Sequence, residues 1–140
     1  MRLNPDGSLD SSYGDRGTAI SEFVIDPVTD QPIISEARAL VLQDEGKVLL
    51  AGMAFSALQS SNVTDINIAM VRFNTSGEID FAFGESGHVV TNIKGGPTDD
   101  FVNAVTTIQG DGKIVTATAS YGVHGFDFAV TRHQPDGRLD

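Results

Sequence analysis

The residues of this chain that are best suited to chemistry are aspartates that recur with glycine in short phrases. The chain begins with RLNPDGSLD and ends with RHQPDGRLD, and a weaker copy, RFNTSGEID, lies between them. Converging carboxylate oxygens are typical of calcium loops, but such loops need many oxygens together. The middle phrase, NTSGEID, has one carboxylate fewer. We therefore interpret the phrases as structural turns and keep bound calcium as the alternative.

The turn interpretation rests on backbone chemistry. Proline presets φ for a turn, aspartate offers a local hydrogen bond, and glycine adopts the positive φ that reverses the chain. We expect the arginine and the last aspartate of each phrase to bridge this connection. The phrases DEGK and GDGK predict hairpin turns on the same grounds. Their lysines, Lys47 and Lys113, precede Val and Ile, so the hydroxyl of a phosphate-binding loop is missing.

Other candidate chemical groups are an aspartate pair and two of the three histidines. Asp99 and Asp100 could supply the acid and base of a hydrolase or lyase, but no nucleophile–base set clusters around them. His133 takes the position of a phenylalanine in the preceding copy, which predicts a packing or rim residue and not a ligand. His124 lies in the loop SYGVHGFD beside Tyr121 and is a candidate ligand contact. We predict no enzyme, no catalytic residues, no metal ligands and no cofactor other than the calcium alternative.

The repeated phrases set the organisation of the chain. Arg2, Arg72 and Arg132 are 70 and 60 residues apart, and each precedes a glycine by five residues and an aspartate by eight. Such agreement in register indicates internal repeats. The single segment 1–140 then divides into repeat 1 at 2–71, repeat 2 at 72–131 and the start of repeat 3 at 132–140.

The intervals between the phrases predict strands because they are short and rich in β-branched residues. No interval has the 3.6-residue apolar period of a helix. Four strands in about 60 residues are typical of a β-propeller blade. The predicted fold class is all-β, with two four-stranded antiparallel blades of about 60–70 residues. The predicted strands are GTAISEFV, ARALVLQ, KVLLAGMAF and INIAMVRFN, then HVVTNI, FVNAVTTIQ, KIVTATAS and FDFAVTRH.

Two blades do not close a propeller, which typically has four to eight. The second blade lacks an outer strand of its own, and the strand at 17–25 is the outer strand of a blade whose other strands lie elsewhere. We expect a closed ring only by oligomerisation or within a longer chain. The expected partners are other copies of this chain or further repeats.

The phrases RLNPDGSLDSSYG, DEGKVLLAG, IAMVRFNTSGEIDFAFG and GDGKIV resemble the bacterial delta-60 repeat. The resemblance covers essentially the whole chain, as two repeats and the opening of a third. It implies a β-propeller in large bacterial proteins that are often secreted or surface-associated. It therefore implies an extracellular or cell-surface location, and it implies no shared catalytic residues.

Composition excludes several other classes. A formal net charge of −10 argues against nucleic acid and anionic membranes, which need a basic surface. The absence of cysteine excludes disulfides and thiolate metal sites. No apolar stretch approaches the roughly 20 residues that span a bilayer, so we expect no membrane insertion. The opening residues also lack the basic and apolar regions of a signal peptide.

Length differences between the copies locate a candidate binding face. Repeat 1 is longer than repeat 2 in two alternate connections, whereas the NPDG and DEGK turns keep their length. Alternate connections of an up-and-down blade lie at the same end, and exposed loops on a rigid scaffold often carry function. Neutral drift in idle loops is the alternative. The predicted face contains residues 26–36, 55–65, 94–101 and 120–125, with Asp65, Asp99, Asp100, Tyr121 and His124 as contacts.

The functional expectation is a non-enzymatic propeller module that acts as a scaffold or binds a protein or small ligand. The alternative is a self-assembling ring that binds a small ligand such as a carbohydrate. Against a sugar site stands a composition with no Trp and only two Tyr. A hydrolase or lyase that uses central carboxylates is a third hypothesis.

Overall fold

The computed structural model describes residues 1–22, 34–57, 64–93, 100–122 and 124–140, and it confirms the predicted all-β fold class. Two antiparallel sheets of four and three strands form the structure. The one helical turn in the described ranges is a 3-10 turn at Asp44–Gly46. The first sheet has the order β1 (Ile34–Leu42), β2 (Val48–Ala57), β3 (Thr64–Phe73) and β4 (His88–Thr91); the second has β5 (Asp100–Ile108), β6 (Ile114–Gly122) and β7 (Gly125–His133).

The predicted strand at 17–25 is the one that differs. Its described part, residues 17–22, forms no strand, and Thr18 makes only an isolated bridge with Asp15. The equivalent segment of the next repeat is β4, which pairs with β3. No strand in the described parts of the chain offers residues 18–22 such a partner, so this segment lacks the ladder that makes β4 regular. No helix among the described residues is long and apolar enough to cross a membrane.

Both predicted hairpin turns are confirmed. The Gln43 N–H donates to the Lys47 carbonyl at 2.9 Å, and the Gln109 N–H donates to the Lys113 carbonyl at 2.8 Å. Each turn places the glycine before its lysine at positive φ, +78° for Gly46 and +81° for Gly112. These turns join the strand pairs β1–β2 and β5–β6 with the same register at the turn.

The two sheets pack face against face. We call the side of the first sheet that is turned to the second its front face, and the opposite side its back face. The front face is fully apolar at its centre and packs against Ile108 and Ile114 of the second sheet. The back face carries Leu50, Val71 and Phe73 and packs against Ala19 from the N-terminal segment. The buried front-face residues are Leu49, Ala51, Met53, Ile66, Ile68 and Met70.

His133 joins the two sheets through a buried contact. Its Nε2 lies 2.9 Å from the Thr91 hydroxyl of β4, and its side chain is fully buried. Its Nδ1 has no hydrogen-bond partner in the described structure. Burial lowers the pKa of His133 below its ordinary value of 6.5, because the charged ring would lose its hydration. The predicted packing role agrees with this placement.

This placement predicts a loss of stability in mild acid. As pH falls below about 6.5, the unfolded chain binds a proton on this histidine before the folded chain does, so the free energy of unfolding decreases. The contribution is complete above the unfolded-state pKa and is lost as pH falls through the lower folded-state pKa. His133→Phe, which copies Phe73 of the preceding repeat, should flatten the profile between pH 7.5 and 5. Urea unfolding at each pH tests this, and parallel profiles for the two proteins would contradict it.

Candidate functional site

The three repeated phrases form one kind of turn. In each, the glycine N–H donates to the carbonyl three residues earlier, at 2.9 Å for Gly7, 3.1 Å for Gly77 and 2.9 Å for Gly137. Their φ values are +86°, +86° and +92°, as the sequence predicts. The turns lie at the end of the sheets that also carries the DEGK and GDGK hairpins. We call this end the constant end and the opposite end the variable end.

An arginine at the constant end links each repeat to the next. Arg72 Nε donates to Asp80 Oδ2 at 2.9 Å, and its guanidinium stacks 4.6 Å above the Phe83 ring. Its Nη1 reaches the following turn and donates to the Pro135 carbonyl at 2.7 Å. The predicted arginine–aspartate bridge is therefore confirmed. We call an arginine with its aspartate and aromatic ring an arginine cluster.

The first arginine cluster repeats this geometry. Arg2 Nε donates to Asp10 Oδ2 at 2.7 Å, and its guanidinium lies 4.5 Å from the Tyr13 ring centroid. Its Nη1 donates to the Thr75 carbonyl of the next turn at 2.9 Å. The two clusters thus make the same three contacts at equivalent positions. The constant end uses these polar groups to join successive repeats.

The carboxylates of the constant end are held by the protein itself. Burial raises the pKa of Asp80, but hydrogen bonds from Lys47 and the Ala82 N–H, with the charges of Arg72 and Lys47, lower it below its ordinary 3.8. The hydrogen bond from the Ser8 hydroxyl is the largest cause that lowers the pKa of Asp6. Among the described residues no three His, Asp or Glu side chains are grouped for a metal ion. The turn carboxylates accept hydrogen bonds from groups of this chain and pair with its cationic side chains.

The variable end gathers the opposite strand termini. In the first sheet, Ile34 pairs with Phe55, and Ala57 pairs with Thr64, so β1 begins where β2 ends and β3 begins. The second sheet repeats this arrangement from the start of β5 to the β6–β7 connection. The constant ends of both sheets touch, because the Gly84 N–H donates to the Asp136 carbonyl at 2.8 Å. The variable ends therefore lie together at the opposite end of both sheets.

Two of the predicted contact residues lie exposed at this end. Tyr121 is half exposed near the end of β6, and His124 is exposed between β6 and β7. Phe126 is the second residue of β7 and packs edge to face against Tyr121, with ring centroids 5.1 Å apart. The sequence analysis did not single out Phe126. Alternation along FDFAV could have placed it on the same sheet face as the tyrosine opposite it.

The three predicted aspartates are placed differently. Asp100 is fully buried at the start of β5, where its Oδ2 accepts a hydrogen bond from the Ile93 N–H at 2.8 Å. Its carboxylate therefore fixes the backbone after β4 and is turned away from solvent. Asp65 lies at the start of β3, opposite Ser56, and its side chain is outside the description. Asp99 lies outside the described residues, as do most of 26–36, 55–65 and 94–101.

Comparison with known proteins adds one match. The model of the family described as "Domain of unknown function (DUF5122) beta-propeller" matches residues 1–13. This stretch contains the complete first arginine cluster, from Arg2 through Asp10 to Tyr13. No curated protein and no solved structure matches the chain. The match and the two antiparallel sheets together support a repeat of the β-propeller type.

Proposed function

We propose that this chain is a non-enzymatic propeller repeat of the delta-60 type that binds a partner through its variable end. The observation that carries the proposal is the exposed group of Tyr121, His124 and Phe126 where β6 meets β7. Tyrosine and histidine supply apolar contact area together with hydrogen-bonding groups, which favours recognition of a polypeptide surface. The resemblance to delta-60 repeats supports a place in a secreted or surface-associated bacterial protein.

The constant end supports the non-enzymatic part of this proposal. Its arginines, lysines and aspartates pair with one another, which gives them a structural role in each repeat. Asp100, one half of the candidate acid–base pair, is buried and holds a backbone N–H. A general acid or base must instead lie within hydrogen-bond reach of a substrate. Scaffold and binding roles are therefore favoured over hydrolysis or elimination.

Carbohydrate binding is the second candidate function. The edge-to-face pair of Tyr121 and Phe126 offers aromatic surface at the variable end. Apolar faces of sugar rings pack on such surfaces, although the chain has no Trp. The two candidates share this end of the molecule and differ in the class of ligand. One screen with two libraries separates them.

Binding should depend on the variable end and not on the constant end. We expect the double variant Tyr121→Ala with His124→Ala to bind its ligand at least about tenfold more weakly, because aromatic anchors dominate interface energies. The probes are a phage-displayed peptide library and an array of immobilised glycans. Arg138→Ala, an exposed change at the constant end, is the control and should bind like the wild type. A ligand that tolerates the double variant, or no ligand in either library, would contradict the proposal.

A further inference from the structure

The outer edge of β7 lacks the neighbour that the equivalent edge of the first sheet has. In the first sheet β3 lies between β2 and β4, whereas in the second sheet β7 is the last strand and pairs with β6. No strand in the described parts of the chain lies on the other side of β7. The 60-residue offset between the repeats makes β7 the counterpart of β3. The same backbone edge is therefore covered in one sheet and uncovered in the other.

The pairing of β3 with β4 shows which backbone groups point to this edge. Residues 68–71 of β3 pair with residues 88–91 of β4. One step further, the Arg72 N–H donates to the Gly87 carbonyl at 3.2 Å. Backbone groups alternate in direction along a strand, so the N–H groups at positions 68 and 70 also point towards β4.

The same alternation applies to β7. The counterparts of residues 68, 70 and 72 are Phe128, Val130 and Arg132. The Arg132 carbonyl accepts a hydrogen bond from the Asp140 N–H at 2.9 Å, as the equivalent carbonyl does in the preceding repeat. The two strands thus have the same orientation. The N–H groups of Phe128, Val130 and Arg132 point to the outer edge of β7.

The centre of β7 lacks the features that protect edge strands from further pairing. Such strands commonly carry charged residues or proline, or are interrupted by a bulge. Residues 128–131, FAVT, have no charge and no proline, and the register of β7 with β6 is continuous. The Phe128 side chain is fully exposed and that of Val130 is largely exposed. An added strand would pair with this edge and cover part of both side chains.

We propose that an extended segment of another polypeptide pairs with residues 128–132 of β7 and completes the second sheet, as β4 completes the first. In strand addition of this kind, main-chain hydrogen bonds provide affinity and side-chain contacts provide specificity. The proposal goes beyond the function proposed for the variable end and does not depend on the ligand there. The added strand lies in the plane of the sheet, so it leaves the rings of Tyr121 and Phe126 accessible.

The sequence of β4 indicates what kind of segment fits. Val89 and Thr91 are the residues of β4 whose counterparts in an added strand would lie opposite Val130 and Phe128. Val89 packs against the apolar core of the first sheet, and β-branched residues at such positions stabilise cross-strand pairs. β4 has no acidic residue, and a net charge of −10 repels acidic partners. The fitting segment is therefore extended, rich in β-branched residues and neutral or basic.

A second copy of this chain is not the expected source of the segment. Residues 18–21 are the counterpart of β4, but they follow the turn at 2–10 as β4 follows the turn at 72–80. With residues 18–21 placed on β7, that turn would fall on residues 132–140 of the first copy. A separate peptide brings no such turn.

The probe is a synthetic peptide with the sequence of residues 87–93, GHVVTNI. We expect saturable binding, measured by fluorescence anisotropy of the labelled peptide. Val130→Pro should weaken it at least about tenfold, because proline removes an N–H that points to the outer edge and no hydrogen bond to β6. Val130→Thr keeps this N–H and the branched side chain, so it is the matched control and should bind like the wild type. Circular dichroism verifies that both variants fold.

A changed peptide tests the same hydrogen bonds without altering the protein. Proline at the position of Val89 removes the N–H that would face β7, and this peptide should bind at least about tenfold more weakly. Hydrogen exchange then locates the site. Saturating peptide should slow exchange of the Phe128 and Val130 amides, which point outward. Val130→Pro also distinguishes edge ligands from ligands of the variable end, whose binding it should not change.

Four results would overturn the proposal. The first is no binding at about 1 mM peptide. The second is equal binding by Val130→Pro or by the proline peptide. The third is protection from exchange that appears elsewhere and not at Phe128 and Val130. The fourth is self-association of the wild type that protects these amides without peptide, since a second copy would then occupy the edge.

Discussion

Arg72→Ala is expected to lower the free energy of unfolding by about 3 kcal/mol, because it breaks a buried charge pair. The Arg72 side chain is only 8% exposed and that of Asp80 only 12%. The change also removes the cation–π contact with Phe83 and the hydrogen bond to the Pro135 carbonyl. Lys47 still contacts Asp80 in the variant. The expected loss is therefore at the lower end of the range that is typical when one partner of a buried ion pair is removed. Urea unfolding at neutral pH gives the value.

The first repeat supplies the matched control. Arg2 makes the same three contacts with Asp10, Tyr13 and the Thr75 carbonyl, but its side chain is 41% exposed. Water solvates an exposed ion pair and weakens it. Arg2→Ala should therefore cost clearly less than Arg72→Ala. Equal losses in the two variants would show that burial of the cluster is not what makes it stabilising.

Much of this fold could be predicted from the sequence, because the same local features occur at equivalent positions of each repeat. A glycine at an equivalent position of three phrases indicates a backbone requirement, and Gly7, Gly77 and Gly137 all have the positive φ expected. Short β-branched segments between turns predict the strands, which the structure confirms from β1 to β7. These features are local, so a few residues of sequence determine them.

Contacts between distant segments could not be predicted in the same way. Gly52 reads as an ordinary strand residue, yet a Cβ there would lie 1.8 Å from the Glu36 carbonyl oxygen. This close approach arises at the register shift between Ala37 and Ala39 in β1. No sequence pattern predicts that shift. Asp100 reads as a loop carboxylate, but packing buries it against the Ile93 N–H. Pairing register and burial depend on the whole sheet.

The candidate site also combines local features that could be predicted with contacts between strands that could not. Tyr121 and His124 could be placed at the variable end because the repeats differ in length there, although Tyr121 lies within β6 and not in a loop. The packing of Phe126 against Tyr121 depends on the cross-strand register of β6 and β7. Asp65 and Asp99 stay predictions, since the side chain of the first and the whole of the second lie outside the described residues.

Gly77→Ala should destabilise the protein more than Gly7→Ala, although both glycines have a φ of +86° in the same turn. Both substitutions carry the cost of a side chain at positive φ, about 1 kcal/mol. A Cβ on Gly77 would also lie 2.6 Å from the Gly14 nitrogen and 3.1 Å from Tyr13 Cδ1 of the preceding repeat. A Cβ on Gly7 meets nothing within 4 Å. The crowding adds about 1–3 kcal/mol at Gly77 alone.

Crowding at Gly77 occurs at the contact that joins one repeat to the next. There, the Gly14 N–H donates to the Ser76 carbonyl at 2.6 Å, as the Gly84 N–H does to the Asp136 carbonyl. A Cβ on Gly137 would meet Phe83 and Val89 at the second such contact. Gly137→Ala should therefore behave like Gly77→Ala.

The difference in unfolding free energy between Gly77→Ala and Gly7→Ala is the most direct test of the claim that each turn packs on the aromatic–glycine segment of the repeat before it. It is measured by urea unfolding of both variants and the wild type under one set of conditions. The structure predicts a larger loss for Gly77→Ala by at least about 1 kcal/mol. Equal losses would mean that the turns only reverse the chain, and the account of how the repeats are joined would be wrong.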